Sequence, residues 1–233
     1  MPGMRINKNI QRKETAPVLE QEEECGMKEK PILFSEPMVR AILDGRKTQT
    51  RRVVKGNPVN LIRFIGSDDL PTGEFGLCQN YENVIEKHIK SPYGNPRDRI
   101  WVREGFSGPY YQSKTPPREW SDCDPIWYWA DGNPENGDWT KPKPSIHMPR
   151  WASRIDLEIT GVRVERLQDV SKQDSFSEGI QSLSDGDYYE FGIRGLCSAQ
   201  HPIRAYQLLW ESINGSGSWD KNPWIWVIEF KRV

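Results

Sequence analysis

The segment "RIDLEITGVRVERL", Arg154 to Leu167, constrains the fold more than any other stretch of the chain. Ile155, Leu157 and Ile159 alternate with polar neighbours, the period of a strand with one face buried. Val162 and Val164 resume the pattern after Gly161, so the spacing predicts one long strand with a bulge or bend at the glycine. Shorter strands are predicted at Ile32 to Phe34, along "TQTRRVV", and along "DRIWVRE". In the last, Ile100 and Val102 share one face and Trp101 and Arg103 the other. "WIWVIEFKRV" closes the chain as a further strand. Strands outnumber helices and are interrupted. The fold class expected is therefore α+β, a small mixed-sheet β-barrel surrounded by short helices and long loop insertions.

Three helices are expected. Ser35 can cap the first and Pro37 fits its first turn; Met38, Ala41 and Ile42 supply its apolar stripe and Gly45 its terminator. "VSKQDSFSEGI" opens with a capping-box pattern, Ser171 to Asp174, and should end at Gly179. "HPIRAYQLLWESI" is amphipathic through Ile203, Tyr206, Leu209, Trp210 and Ile213. Residues 1–27 are charged and lack apolar periodicity, so they read as a disordered tail, with Met27 as an alternative start. Residues 28–233 read as a single domain with insertions near 56–95 and 107–145. The first insertion is expected to carry a helix near Tyr81 to Lys90. The second region holds eight prolines between Ser107 and Arg150, and a strand is expected at Ile126 to Ala130.

The 32 Lys and Arg nearly balance 33 Asp and Glu, giving a formal net charge of −1. That argues against sequence-blind coating of nucleic acid but leaves room for a local basic patch. One exists at "ILDGRKTQTRRVV", where Arg46, Lys47, Arg51 and Arg52 gather with Thr48 and Thr50 behind Gly45. Cys25, Cys78, Cys123 and Cys197 are widely spaced, with no CxxC pair and only three histidines, so no zinc site is expected. A reducing cytoplasm is the simpler setting for them. No apolar run reaches signal-peptide or membrane length.

The ordered set "LDGRKTQTRR", "DRIWVRE", "IDLEITGVRVERL", "SEGI" and "WVIEFK" resembles the ASCH family, whose fold is a PUA-like barrel. In motif layout it is most similar to the small bacterial N4-acetylcytidine amidohydrolases, and also to phage and prophage proteins carrying this domain. The resemblance covers about residues 31–54, 96–106, 154–180 and 222–232, leaving both insertions and the tail uncovered. It implies a catalytic set of Lys47, Thr50 and Glu178, with no metal or cofactor. Threonine becomes a nucleophile when a base takes its proton, and a lysine can be that base when burial or nearby cations lower its pKa. Glu178 would then protonate the leaving amine.

In a flat strand Lys47 and Thr50 would face opposite sides, so they converge only through a tight turn after Gly45. Arg46, Arg51, Arg52, Arg103, His147 and Arg150 are the candidate substrate or nucleic-acid contacts, through phosphate or base edges. The partner implied is a modified pyrimidine nucleoside, or RNA or another single-stranded nucleic acid, in a bacterial or phage-infected cytoplasm and away from membranes. Two functions remain open at this level: an amidohydrolase on N4-acylated cytidine-type substrates, and a non-catalytic RNA-binding module. Solvated ion pairs, and tryptophans packed in the core, account for much of the same pattern.

Overall fold

The structure, a computed structural model, describes residues 28–55, 63–65, 74–78, 87–183, 186–193 and 195–233. In chain order the elements are β1 (Glu29–Leu33), α1 (Glu36–Leu43), β2 (Gln49–Val53), β3 (Arg63–Ile65), β4 (Glu74–Cys78), β5 (Lys87–Lys90) and β6 (Arg99–Arg103). There follow β7 (Phe106–Ser107), β8 (Trp127–Tyr128), β9 (Asp156–Arg166), α2 (Lys172–Ser177), β10 (Gln181–Ser182), β11 (Tyr189–Glu190), α3 (Pro202–Asn214) and β12 (Trp224–Arg232).

Five strands form one mixed sheet in the order β1-β6-β9-β12-β2. β1 and β6 run parallel and every other neighbour pair is antiparallel. The protein is thus α+β. The main-chain ladder does not close on itself: β1 and β2 are its two edges. What joins those edges is a side chain, Arg52, whose Nη2 donates to the Leu33 carbonyl at 2.7 Å.

β12 shows why the sheet sits where it does. Trp226, Ile228 and Phe230 point to one face and pack with Ile32, Ile100, Leu157 and Ile159. Ile225 and Val227 point to the other and pack with Leu167, Ile180, Leu209 and Trp210. Its period of two feeds two cores, which is why the strand reads as a nearly continuous apolar run. Each large apolar side chain so buried is worth roughly 1.5–3 kcal/mol.

The long strand is found at Asp156–Arg166, with Ile155, Leu157 and Ile159 buried. Its register against β12 shifts between Glu229, opposite Gly161, and Phe230, opposite Ile159. Gly161 is therefore a bulge residue, and a Cβ there would stand 2.8 Å from the Glu229 carboxylate.

Three expectations need correction. The helix expected near Tyr81 to Lys90 is a strand at Lys87–Lys90, paired with β4; residues 81–86 lie outside the described residues, as does the 1–27 tail. Pairing with β4 satisfies the main-chain groups that a helix would have satisfied internally. The strand expected at Ile126 to Ala130 spans only Trp127–Tyr128 and gives way to a 3-10 turn, Trp129–Asp131, before Gly132 at φ 101°. Ser35 occupies the N-cap position of α1 but makes no side-chain capping bond. The proline-rich excursion is organised by such 3-10 turns around a small core of Phe106, Trp120, Met148 and Ala152.

Candidate active site

The basic run docks on the C-terminal end of α2. The capping box is present, with the Ser171 hydroxyl accepting from Asp174 N–H, and Glu178 is the C-cap. The last carbonyls of a helix have no partner within it. Here Thr48 N–H donates to the Ser177 carbonyl at 2.9 Å, Lys47 Nζ to the Glu178 carbonyl at 2.9 Å, and Arg46 Nη1 to the Gly179 carbonyl at 3.1 Å. Three consecutive residues thus meet three consecutive carbonyls, which is one physical reason for positive charge in this turn.

Two glycines make the approach possible. Gly45, at φ 74°, ends α1 and turns the chain. Gly179, at φ 105°, lies where a Cβ would be 2.9 Å from the Phe191 ring and 3.4 Å from Lys47 Cβ.

The side chains then form a buried charge cluster. Lys47 Nζ donates to Glu178 Oε2 at 2.7 Å, with the lysine side chain 0% exposed. Arg51 Nη1 donates to the other carboxylate oxygen of Glu178 at 3.1 Å. Its Nη2 reaches Glu165 at 2.8 Å and Asp174 at 3.4 Å. Arg163 ties Glu165, Asp174 and Glu229 together from the surface side.

Burial holds Lys47 below the ordinary lysine range; Glu178 pulls the other way without restoring it, and Arg52 and Arg51 push it further down. For Arg51 burial opposes the charge, but Glu178 and Glu165 outweigh it and raise its pKa. Asp174 is brought down to about 2: burial alone would raise it, but bonds from Ser171 and the charges of Arg51 and Arg163 prevail.

A cavity of about 340 Å³ opens against this cluster. β2 contributes Thr50, Arg51 and Arg52; Leu33, Phe34, Ser35 and Met38 form one wall; and α3 contributes Tyr206, Leu209 and Trp210. Glu178, Ser145 and Asn214 add to the polar lining. Thr50 is 3% exposed and Tyr206 2%, yet neither hydroxyl has a hydrogen-bond partner among the described residues. Burial raises the Tyr206 phenol well above its ordinary value, so it remains a proton donor.

Lys47, Thr50 and Glu178 are therefore neighbours around one site. β2 begins only at Gln49, so strand alternation does not reach Lys47. Lys47 bonds Glu178 rather than the Thr50 hydroxyl. Arg51 points its guanidinium into carboxylates rather than into solvent. Arg52 lies over the Phe34 ring, 5.4 Å from its centroid, and lines the cavity. Arg46 is partly exposed and paired with Asp44.

The remaining candidates are not in the cavity lining. Arg103 stacks on Trp101 at 4.6 Å and, with His147 and Arg118, lines a separate pocket. Arg150 pairs with Glu29 and Asp156. Tyr206, Glu165 and Asp174 were not singled out by sequence as site residues. A phenol on the apolar stripe of an amphipathic helix was the available signal for Tyr206. Among the described residues no three His, Cys, Asp or Glu side chains gather so as to hold a metal ion, and no helix is long and apolar enough to cross a membrane. No protein-family model, curated protein or solved structure matches the chain.

Proposed function

We propose that the chain is an ASCH-type, PUA-like protein whose cavity hydrolyses N4-acylated cytidine-type substrates without a metal. The observation that carries this is the Thr50 hydroxyl: nearly buried, without a partner among the described residues, and lining the same cavity as Glu178, which itself holds Lys47. A core threonine would bond a nearby carbonyl; one left open at a cavity wall is available to react. The cavity's size is within the range of small-ligand sites, about 300–1,000 Å³. The Arg52 bridge from β2 to Leu33 supports the PUA-like arrangement, as a side-chain clasp between the sheet's two edges.

The Lys47–Glu178 pair suits the chemistry. Transfer of one proton across the 2.7 Å bond produces a neutral amine and a carboxylic acid together. The amine takes the Thr50 proton as Oγ attacks the acyl carbonyl. The acid protonates N4 as the C–N bond breaks, which restores the ion pair and leaves an acyl-threonine. Water then attacks the ester by the same relay: its proton passes to Lys47, and Glu178 returns a proton to Thr50 Oγ.

The RNA-binding alternative has less support. Arg51 and Arg150, two of the cations expected to meet phosphates, are engaged by carboxylates. The test is incubation with a panel of N4-acylcytosines, -cytidines and -deoxycytidines followed by product analysis. Release of the free base or nucleoside is expected; an intact panel under all conditions would sink the reading.

A further inference from the structure

Among the described residues β2 is an edge strand, paired on one side only. Val54 N–H donates to the Trp224 carbonyl and Phe230 N–H to the Thr48 carbonyl, each at 2.9 Å. Between these, Arg52 stands opposite Trp226 and Thr50 opposite Ile228. In an antiparallel pair the residues that exchange hydrogen bonds alternate, so Thr50 and Arg52 direct their main-chain groups to β12. Gln49, Arg51 and Val53 direct theirs to the free edge.

Arg51 is the informative one. It lines the cavity, yet its side chain is 0% exposed while the residue as a whole is 4% exposed. What it presents to the cavity is therefore main chain. No described residue bonds its N–H or its C=O. Buried main-chain groups are nearly always paired, so an open donor and acceptor side by side on a cavity wall match a ligand with an adjacent acceptor and donor. The guanidinium, locked by Glu178 and Glu165, holds that stretch of main chain in place.

We propose that the Arg51 main-chain N–H and C=O read the ring of the ligand. The N–H donates to a pyrimidine ring nitrogen, N3 of a cytosine, and the C=O accepts from the exocyclic N4–H. Acylation leaves one hydrogen on N4, so an N4-acylated ring can make both bonds. Thr50, the preceding residue, lines the same cavity. This rests on the reading of the cavity as a pyrimidine site, but it assigns recognition to main chain rather than to the basic side chains.

The experiment is calorimetric titration of the whole protein with cytidine and with 3-deazacytidine, in which a C–H replaces N3. The Arg51 amide is followed in the same titrations by ¹⁵N-resolved NMR. Facing the N–H with a C–H strands a donor, so 3-deazacytidine should bind at least about tenfold more weakly. The Arg51 amide proton should shift downfield with cytidine only. Equal affinities, an unmoved Arg51 amide at saturation, or no saturable cytidine binding would each overturn the assignment. The two readings fail separately. A protein that hydrolyses acylcytidines but binds both nucleosides equally keeps its activity and loses this recognition mode. One that discriminates them without hydrolysing anything does the reverse.

Discussion

Two buried glutamates, Glu104 and Glu178, have nearly the same local chemistry and different surroundings. Glu104, 1% exposed, accepts both Nε and Nη2 of Arg154, which also grips Asp131 and lies 4.0 Å from the centroid of Tyr128. Glu178 accepts from Lys47 and Arg51, and Arg51 in turn grips Glu165. Burial acts on both clusters: it raises the Glu104 carboxyl, against the pull of Arg154, and it lowers Lys47. The difference is the opening. The Glu178 cluster faces a cavity lined by the buried hydroxyls of Thr50 and Tyr206, neither with a partner among the described residues, and Glu104 does not line that cavity. A buried ion pair is thus poor evidence of function alone; a buried pair beside open, reactive groups is better evidence.

The comparison can be broken most forcefully by neutralising each carboxylate in turn. Glu178→Gln and Glu104→Gln should both destabilise, each by about 3–5 kcal/mol if the stranded cation remains buried, as read by denaturant unfolding. Only Glu178→Gln should also cut turnover of an N4-acylcytidine, by about 10²–10⁴-fold in the folded fraction. Equal kinetic damage from both would erase the distinction.

Lys47→Arg sharpens the claim next. Arginine keeps the charge and can still bond Glu178, but it stays protonated at working pH and cannot act as a base. A loss of about 10²-fold or more in kcat is expected; full turnover would mean that the site uses the charge alone. Because the reactive amine–acid pair holds the same single proton as the ion pair, the rate should fall as pH rises through the Lys47 pKa, which burial places below the ordinary lysine value of 10.5, and Lys47→Arg should lose that limb.

The smallest effect concerns Asp174. Its folded pKa, about 2, lies below the ordinary 3.8, so its contribution to stability is present above the ordinary value and is lost as pH falls from there towards 2. Melting temperature should fall more steeply in that window for the parent than for Asp174→Asn. Parallel curves would show that Asp174 is not held as described.

Local pattern made part of this legible. The alternation from Ile155 to Ile159, the bulge at Gly161 and the capping box at Ser171 and Asp174 each depend on a few adjacent residues, and each is found. Lys47, Thr50 and Glu178 were nameable through motif resemblance, since their grouping needs α1, β2 and α2 to meet. The direction of Arg51 was not legible. Its engagement with Glu165 and Asp174 depends on the β9-β12-β2 register, which no window of sequence contains. The strand at Lys87–Lys90 is likewise set by its pairing with β4 rather than by its own composition.

The central claim is that Thr50 Oγ is the nucleophile, and Thr50→Ala tests it most directly. The side chain lies at a cavity wall with no hydrogen bond to the described residues, so the variant should melt within a few degrees of the parent. Parent and variant are to be compared at equal folded concentration on the best substrate of the N4-acyl panel, with nucleoside release followed by chromatography. The account predicts release by the parent and none above background by Thr50→Ala. An active parent matched by a fully active Thr50→Ala would contradict it.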